Sequence, residues 1–205
     1  MTITLDNIGK RFGRDWIFRK INYQFSSGKS YAILGPNGSG KSTLLQLLAC
    51  NQSPTEGAVK FASEAESIPA EDVFQHISLC APYLQLVEEF TLREHLRFHF
   101  SFKKAIDGIR ESAMIKLLTM EQHADKELRH FSSGMKQRVK LCLSVLTDAA
   151  VLLLDEPATN LDEQGMKWYK QLLQDHLKGR LLIVSSNRSE EHDMCAEKIM
   201  LMHFK

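Results

Sequence analysis

The stretch Gly35-Pro36-Asn37-Gly38-Ser39-Gly40-Lys41-Ser42-Thr43 gathers three glycines, one lysine and neighbouring hydroxyls within nine consecutive positions. An apolar run, Tyr31-Ala32-Ile33-Leu34, precedes it and another, Leu44-Leu45-Gln46-Leu47-Leu48-Ala49, follows, so the loop is predicted to join a strand to a helix. Glycine tolerates φ > 0 at little cost, which lets successive backbone N–H groups turn toward one centre. Such a concavity attracts anions, and a helix starting near Lys41 adds the positive end of its dipole. One anion at an exposed helix start gains only about 0.3–1 kcal/mol, so tight binding needs several N–H donors and a full charge besides. Lys41 supplies that charge to β- and γ-phosphates, and Ser42 supplies a hydroxyl for Mg²⁺. The chemistry this spacing suits is the gripping of a nucleoside triphosphate.

A second group follows later in the chain. Asp155-Glu156 closes the wholly apolar run Val151-Leu152-Leu153-Leu154, the pattern of a parallel strand buried on both faces. Ligands of open α/β sheets bind beyond the carboxyl ends of the strands, which predicts these two carboxylates beside the glycine loop. Adjacent strand residues point opposite ways, so separate roles are expected: Asp155 toward Mg²⁺, directly or through water, and Glu156 as the base that polarises an attacking water.

The elements that must position these residues are legible in outline. Ile3, Leu5 and, after a slip, Ile8 suggest a strand, Ile21-Asn22-Tyr23-Gln24-Phe25 alternates cleanly, and Ser26-Ser27-Gly28 is a turn. A helix from Lys41 to about Cys50, a turn at Pro54-Thr55-Glu56-Gly57 and a strand at 58–61 come next; residues 62–72 are predicted as a surface loop, and Ile77-Ser78-Leu79-Cys80 as a buried strand. From Thr91 the period becomes helical. Thr91-Leu92-Arg93-Glu94 has the form of a capping box, with Leu92, Leu96 and Phe100 on one face. Ile106, Ile109, Ala113, Leu117 and Met120 form a second stripe, and Ser132-Ser133-Gly134 caps a helix with Val139, Cys142, Leu143 and Leu146 on its apolar face. A helix at about 163–177, a buried strand at 181–184 and an edge strand at 198–202 complete the α/β reading.

Composition narrows the classes. With 26 basic and 25 acidic residues and 43% hydrophobic residues, the 205-residue chain suits a globular core. It lacks the basic excess of a nucleic-acid binder, so no nucleic-acid partner is expected. No run approaches the roughly 18 apolar residues of a membrane span. The first residues, Met1 to Asn7, do not pair a basic region with an apolar block, so no signal peptide is expected. Cys50, Cys80, Cys142 and Cys195 are isolated and are expected to be reduced, packed thiols of a cytosolic compartment.

Three motifs taken together resemble the ATP-binding subunit of ABC transporters. They are the glycine loop, then Phe131-Ser132-Ser133-Gly134-Met135-Lys136-Gln137-Arg138, then Leu153-Leu154-Asp155-Glu156-Pro157-Ala158-Thr159-Asn160-Leu161-Asp162. The middle one is similar to that family's LSGGQ signature, and the last to its Walker B strand leading into the D-loop. The resemblance covers essentially the whole chain. It implies an α/β P-loop NTPase core of ABC ATPase type, with an antiparallel β subdomain and an α-helical subdomain inserted at about 84–146. It also implies one ABC ATPase domain over 1–205, using ATP and Mg²⁺. Phe12 stands where the family sets an aromatic ring under adenine. Cassettes of the family pair head to tail, so Ser132, Ser133, Gly134 and Asp162 of one chain would meet the ATP held by a second, identical or different, cassette. Closure would then depend on the γ-phosphate, and hydrolysis would shift the population toward the open form.

The sequence departs from the family pattern in three places. Ser133 replaces a signature glycine and Met135 the signature glutamine, while Ser132 and Gly134 are retained. Pro82 falls where the Q-loop glutamine is expected, which leaves Gln85 as the substitute. Asn187 falls where the family has histidine, and its amide can donate to a γ-phosphate but cannot titrate; His192 is the alternative, although it falls on the following helix and is expected at the surface.

The function implied is that of an energy-coupling ATPase held at the cytoplasmic face of the cell membrane by a separate transmembrane permease subunit. The insertion around Tyr83 to Phe102 would be the docking surface. The alternatives are a soluble ABC ATPase outside transport and a regulatory switch that hydrolyses ATP weakly.

Overall fold

The computed structural model describes residues 1–64 and 66–204. In chain order its strands and helices begin with β1 (Thr2–Phe12), β2 (Asp15–Ser26), β3 (Ser30–Leu34), α1 (Lys41–Leu48), β4 (Glu56–Ser63), β5 (Glu66–Ile68), α2 (Val73–His76) and β6 (Ile77–Cys80). They continue with α3 (Leu92–Phe102), α4 (Glu111–Leu118), α5 (Ser133–Leu146), β7 (Val151–Asp155), α6 (Glu163–His176), β8 (Leu181–Ser185), α7 (Ser189–His192) and β9 (Glu197–Met200). The chain divides into two compact units: Met1–Leu79 with Ala149–Glu156 and Gly179–Lys205, and Cys80–Asp148 with Pro157–Lys178. The second therefore takes in α6, which lies beyond the stretch that the change of period marks in the sequence.

The first unit carries an antiparallel sheet of order β2-β1-β4-β5 and a sheet of order β6-β7-β8-β3-β9. β3 runs parallel to both β8 and β9, and β7 parallel to β8. Every residue of β7 and β8 is buried, which is why both read as continuous apolar runs. Ile3, Leu5, Ile8, Phe18, Phe25 and Phe61 from the antiparallel sheet share one core with Ile33, Leu153 and Ile183 from the other sheet and Leu44 and Leu48 of α1. The slip between Leu5 and Ile8 is a bulge, where Asn7 takes φ 50°. Because β3, β7 and β8 are parallel, their carboxyl ends lie at one edge. The segments that follow them are the glycine loop, Glu156 and Asn187.

The second unit is helical. Thr91 caps α3 with the expected reciprocal box: its hydroxyl accepts from the Glu94 N–H, and the Glu94 carboxylate accepts from the Thr91 N–H at 2.8 Å. The indole N–H of Trp168 on α6 donates to the carbonyl of Leu117 on α4 at 2.9 Å, which joins these helices.

Three expectations are corrected. Residues 62–72 are not simply a loop, because β5 pairs antiparallel with β4 through Phe61↔Ile68 and Ser63↔Glu66, a pairing that its polar residues do not announce; Ala65 lies outside the described residues. The stripe Ile106, Ile109, Ala113, Leu117, Met120 is not one helical face: Asp107 (φ 48°) and Gly108 (φ 62°) break the helix before α4, and α4 buries Met114, Ile115 and Leu118. The final strand ends at Met200, and Leu201–Phe204 form a 3₁₀ turn.

Candidate functional site

The glycine loop occupies positions 35–40, between the last residue of β3 and the first of α1. Gly38 and Gly40 take φ of 76° and 100°. At Gly40 geometry and space coincide, because a methyl there would stand 2.3 Å from Cγ2 of Ile17 and 3.1 Å from Cδ1 of Phe18. Lys41 is only 5% exposed, and its ammonium donates to the carbonyls of Gly35 at 2.8 Å and Pro36 at 3.3 Å. The side chain thus lies along the inside of the loop that it follows. A cleft of about 220 Å³ opens here, lined by Ile17, Asn37, Gly38, Gly40, Lys41, Ser42, Thr43 and Glu156. α1 starts without a side-chain cap, so its first N–H groups have no side-chain acceptor. The buried Ser39 hydroxyl has no partner among the described residues. A cationic, hydroxyl-lined cleft at an uncapped helix start fits phosphate oxygens.

Asp155 ends β7 at 1% exposure, and its Oδ1 has no hydrogen-bond partner among the described residues. A buried carboxylate oxygen without a partner is costly, and a cation relieves that cost. Among the described residues no three His, Cys, Asp or Glu side chains gather as a metal cage. Mg²⁺ does not require one, since it commonly takes one or two protein oxygens and completes its shell with phosphates and water. Asp155 and Ser42 fit that donor set.

Glu156 reaches the cleft by a route that strand alternation does not describe. It follows the end of β7 in a left-handed conformation, φ 45°, and its N–H donates to the Ser185 carbonyl at 2.8 Å. A non-glycine residue in this region is strained by roughly 1–3 kcal/mol. The turn out of the strand line lets Glu156 line the same cleft as Lys41 and Ser42, while Asp155 stays in the sheet.

The signature residues form a cleft within the second unit. The Ser132 hydroxyl caps α5 by accepting from the Met135 N–H at 3.2 Å. Asp162 caps α6 in the same manner, accepting from the Gly165 N–H at 2.7 Å. Together with Ser133, Gly134, Arg138, Asn160 and Leu161 these residues line a space of about 330 Å³. Arg138 stacks on Trp168, 4.7 Å from the ring centroid, and donates to the Thr119 hydroxyl at 3.2 Å.

The remaining sequence candidates are dispersed. Phe12 ends β1 half-exposed, with the Lys10 ammonium 5.2 Å from its ring centroid. Gln85 is exposed in the second unit and lines neither cleft. Asn187 does join the glycine loop: its amide N–H donates to Oδ1 of Asn37 at 2.9 Å. His192 is buried at 4% exposure on α7, contrary to the surface position expected for it, because α7 packs on β8. Ile17 is the cleft residue that sequence reasoning missed. It sits in an ordinary alternating strand, and nothing in its local pattern signals contact with Gly40.

A sequence model of the ABC transporter family matches residues 18–159. The chain belongs to that family. Among curated proteins this ABC cassette is similar to the "Probable sulfate/thiosulfate import ATP-binding protein CysA" of Chlorella vulgaris, 31% identical over 219 residues, covering 100% of the chain and 89% of that protein. It is also similar to the "Nod factor export ATP-binding protein I" of Burkholderia lata, 27% identical over 204 residues, covering 98% of the chain and 67% of that protein. Among solved structures, the dimeric post-hydrolysis state of the ATP-binding cassette MJ0796 bound to ADP and Pi superposes with a TM-score of 0.81 at 21% identity, over 97% of this chain and 93% of that one. At that identity the likeness is one of fold. The cassette is an ABC-type ATPase with a P-loop α/β core.

Proposed function

We propose that the chain is the ATP-binding and hydrolysing subunit of a membrane transporter, driving a separate transmembrane subunit and working as a head-to-tail dimer that sandwiches ATP. The observation that carries this reading is the joint lining of one cleft by Lys41, Ser42 and Glu156. A phosphate grip and a carboxylate base in one cleft suit phosphoryl transfer to water rather than binding alone. In this reading Gly35 to Thr43 cradle the phosphates and Phe12 stacks on the base. Lys41 holds the β- and γ-phosphate oxygens, and Glu156 takes the proton of the attacking water as the β–γ bridge breaks. Asn187 donates its amide N–H to the γ-phosphate. Ser42 and Asp155 would hold Mg²⁺, which when bound neutralises charge on the phosphates.

The signature cleft, with Ser132, Gly134 and Asp162, serves the nucleotide of the partner cassette. The relatives named for Nod factor export and for sulfate/thiosulfate import support a transport role and leave its direction open. No helix among the described residues is long and apolar enough to cross a membrane; in this reading the span belongs to the partner. Exposed aromatics of the second unit, Tyr83 (44%), Phe98 (45%) and Phe102 (75%), give that partner an apolar face. The test is ATP hydrolysis by the purified chain alone and with the membrane subunit recovered by co-purification. Phosphate release at the level of a no-protein control would overturn the reading in favour of a binding switch.

A further inference from the structure

We infer that Asn37, the third residue of the glycine loop, is a positioning residue for Asn187, and that the pair works as one unit in hydrolysis. The inference rests on the proposed reading of this site as an ATPase. Its basis is a contact between residues 150 positions apart: the Asn187 amide N–H donates to Asn37 Oδ1 at 2.9 Å.

The topology produces this contact. β8 lies beside β3 and parallel to it, so the residues after β8 meet the loop after β3. Ser186 N–H donates to the Ile33 carbonyl at 3.4 Å, and the Ser186 hydroxyl accepts from the Arg188 N–H at 2.9 Å. Asn187 is therefore held on both sides by its own backbone neighbours. What those bonds leave undetermined is the rotation of its amide. Torsions that end in an sp² group have broad wells, so a solvent-exposed amide is a poorly fixed donor. An acceptor at Asn37 removes that freedom. A primary amide carries two N–H groups; one is directed to Asn37, and the other keeps a defined direction relative to the loop.

Asn37 lines the cleft with Lys41 and Glu156, so the tether and the phosphate grip belong to the same loop. Neither Asn37 nor Asn187 has φ > 0, and truncating either side chain relieves no backbone strain. Neither amide titrates near neutral pH, so the coupling they provide does not depend on pH. A preorganised donor is worth more than a mobile one because it needs no reorganisation as charge develops.

The experiment is a double-mutant cycle on steady-state ATPase activity in Asn37→Ala, Asn187→Ala and the double variant, with binding of a fluorescent ATP analogue and thermal unfolding measured alongside. Asn187→Ala is expected to lower kcat by about 10-fold or more, as for loss of one transition-state donor. Asn37→Ala is expected to lower kcat about 5-fold, leave KM and analogue binding within about 2-fold, and have no further effect when Asn187 is already alanine. The proposal is overturned by an Asn37→Ala effect equal in both backgrounds, by one confined to KM, or by no effect of either single change. Failure of the ATPase reading would appear separately, as absence of turnover in the unmodified chain.

Discussion

The carbonyl oxygen of Asn160 stands 2.9 Å from the position that a methyl group would take on Gly134. Gly134 is the signature glycine at the start of α5, and Asn160, in a left-handed conformation with φ 66°, belongs to the turn before α6. The glycine therefore keeps space for a backbone oxygen. Ser133 beside it is exposed and lines the same cleft.

Gly134→Ala is expected to displace that turn and to destabilise the chain by about 1–3 kcal/mol, as overpacking does. Ser133→Gly should change stability by less than about 1 kcal/mol, the ordinary range for a surface helix substitution. Urea unfolding of both variants checks the contrast, and equal midpoints would contradict it.

Removing the Lys41 charge with Lys41→Met keeps most of the buried stem and deletes the donor to Gly35 and Pro36. Loss of a hydrogen bond to a charged group costs about 1.5–3 kcal/mol, which is on the order of 10- to 100-fold in affinity for ATP. Titration with a fluorescent ATP analogue reads this directly; unchanged affinity would mean that the cleft is not the phosphate site.

Glu156→Gln keeps the shape of the cleft lining and removes the base. Turnover should fall by about 10²–10⁴-fold with ATP affinity retained, and the variant should accumulate as a dimer when ATP is added. Light scattering with and without ATP is the check, and a persistent monomer would count against the sandwich arrangement.

Asn187→His restores a side chain that can carry positive charge. It is expected to raise kcat and to introduce an inflection in the rate profile near pH 6.5, the ordinary histidine value, that the unmodified chain lacks. Identical profiles for the two proteins would show that this position does not touch the reacting phosphate.

Stability should depend on pH through His99. Its Nε2 lies 2.9 Å from the Thr147 hydroxyl, which gives its own proton to the Leu143 carbonyl, so His99 donates through Nε2–H. Burial, with His95 and Lys103 nearby, pushes His99 down to about 4. The unfolded chain takes up this proton below about pH 6.5 and the folded chain does not, so stability is level above that pH and falls toward pH 4 by up to about 1.4 kcal/mol per pH unit. His95, lowered by burial, acts in the same direction. Glu94, held low by its Thr91 hydrogen bonds, and Asp125, held low by Arg93, begin to lose their contributions as the pH falls through the ordinary carboxylate range near 4. Unfolding midpoints of the unmodified chain and His99→Gln between pH 7 and pH 4 test this; the variant should show the shallower decline.

How far the sequence was legible follows from the range over which each feature is decided. The capping box at Thr91, the cap at Ser132 and the turn of the glycine loop all involve partners within a few positions, and the apolar runs of β7 and β8 follow from burial on both faces. These could be read directly. The pairing of β5 with β4 could not, since Glu66, Ser67 and Ile68 are too few to show alternation, and the stripe from Ile106 to Met120 misled because two positive-φ residues, Asp107 and Gly108, interrupt it.

For the candidate site, the amino-acid sequence by itself determined which chemical groups are present and which of them share a turn or a helix start: the loop glycines with Lys41 and Ser42, and Asp155 with Glu156. Tertiary structure decided the rest. Ile17 was set against Gly40, Glu156 was turned out of its strand into the cleft of Lys41, His192 was buried, and Asn187 was joined to Asn37. Each of these depends on strand order, β8 between β7 and β3, or on two sheets sharing one core. Hydrogen bonds and steric contacts act over a few ångströms in space, so local sequence encodes them only when the partners are also close along the chain.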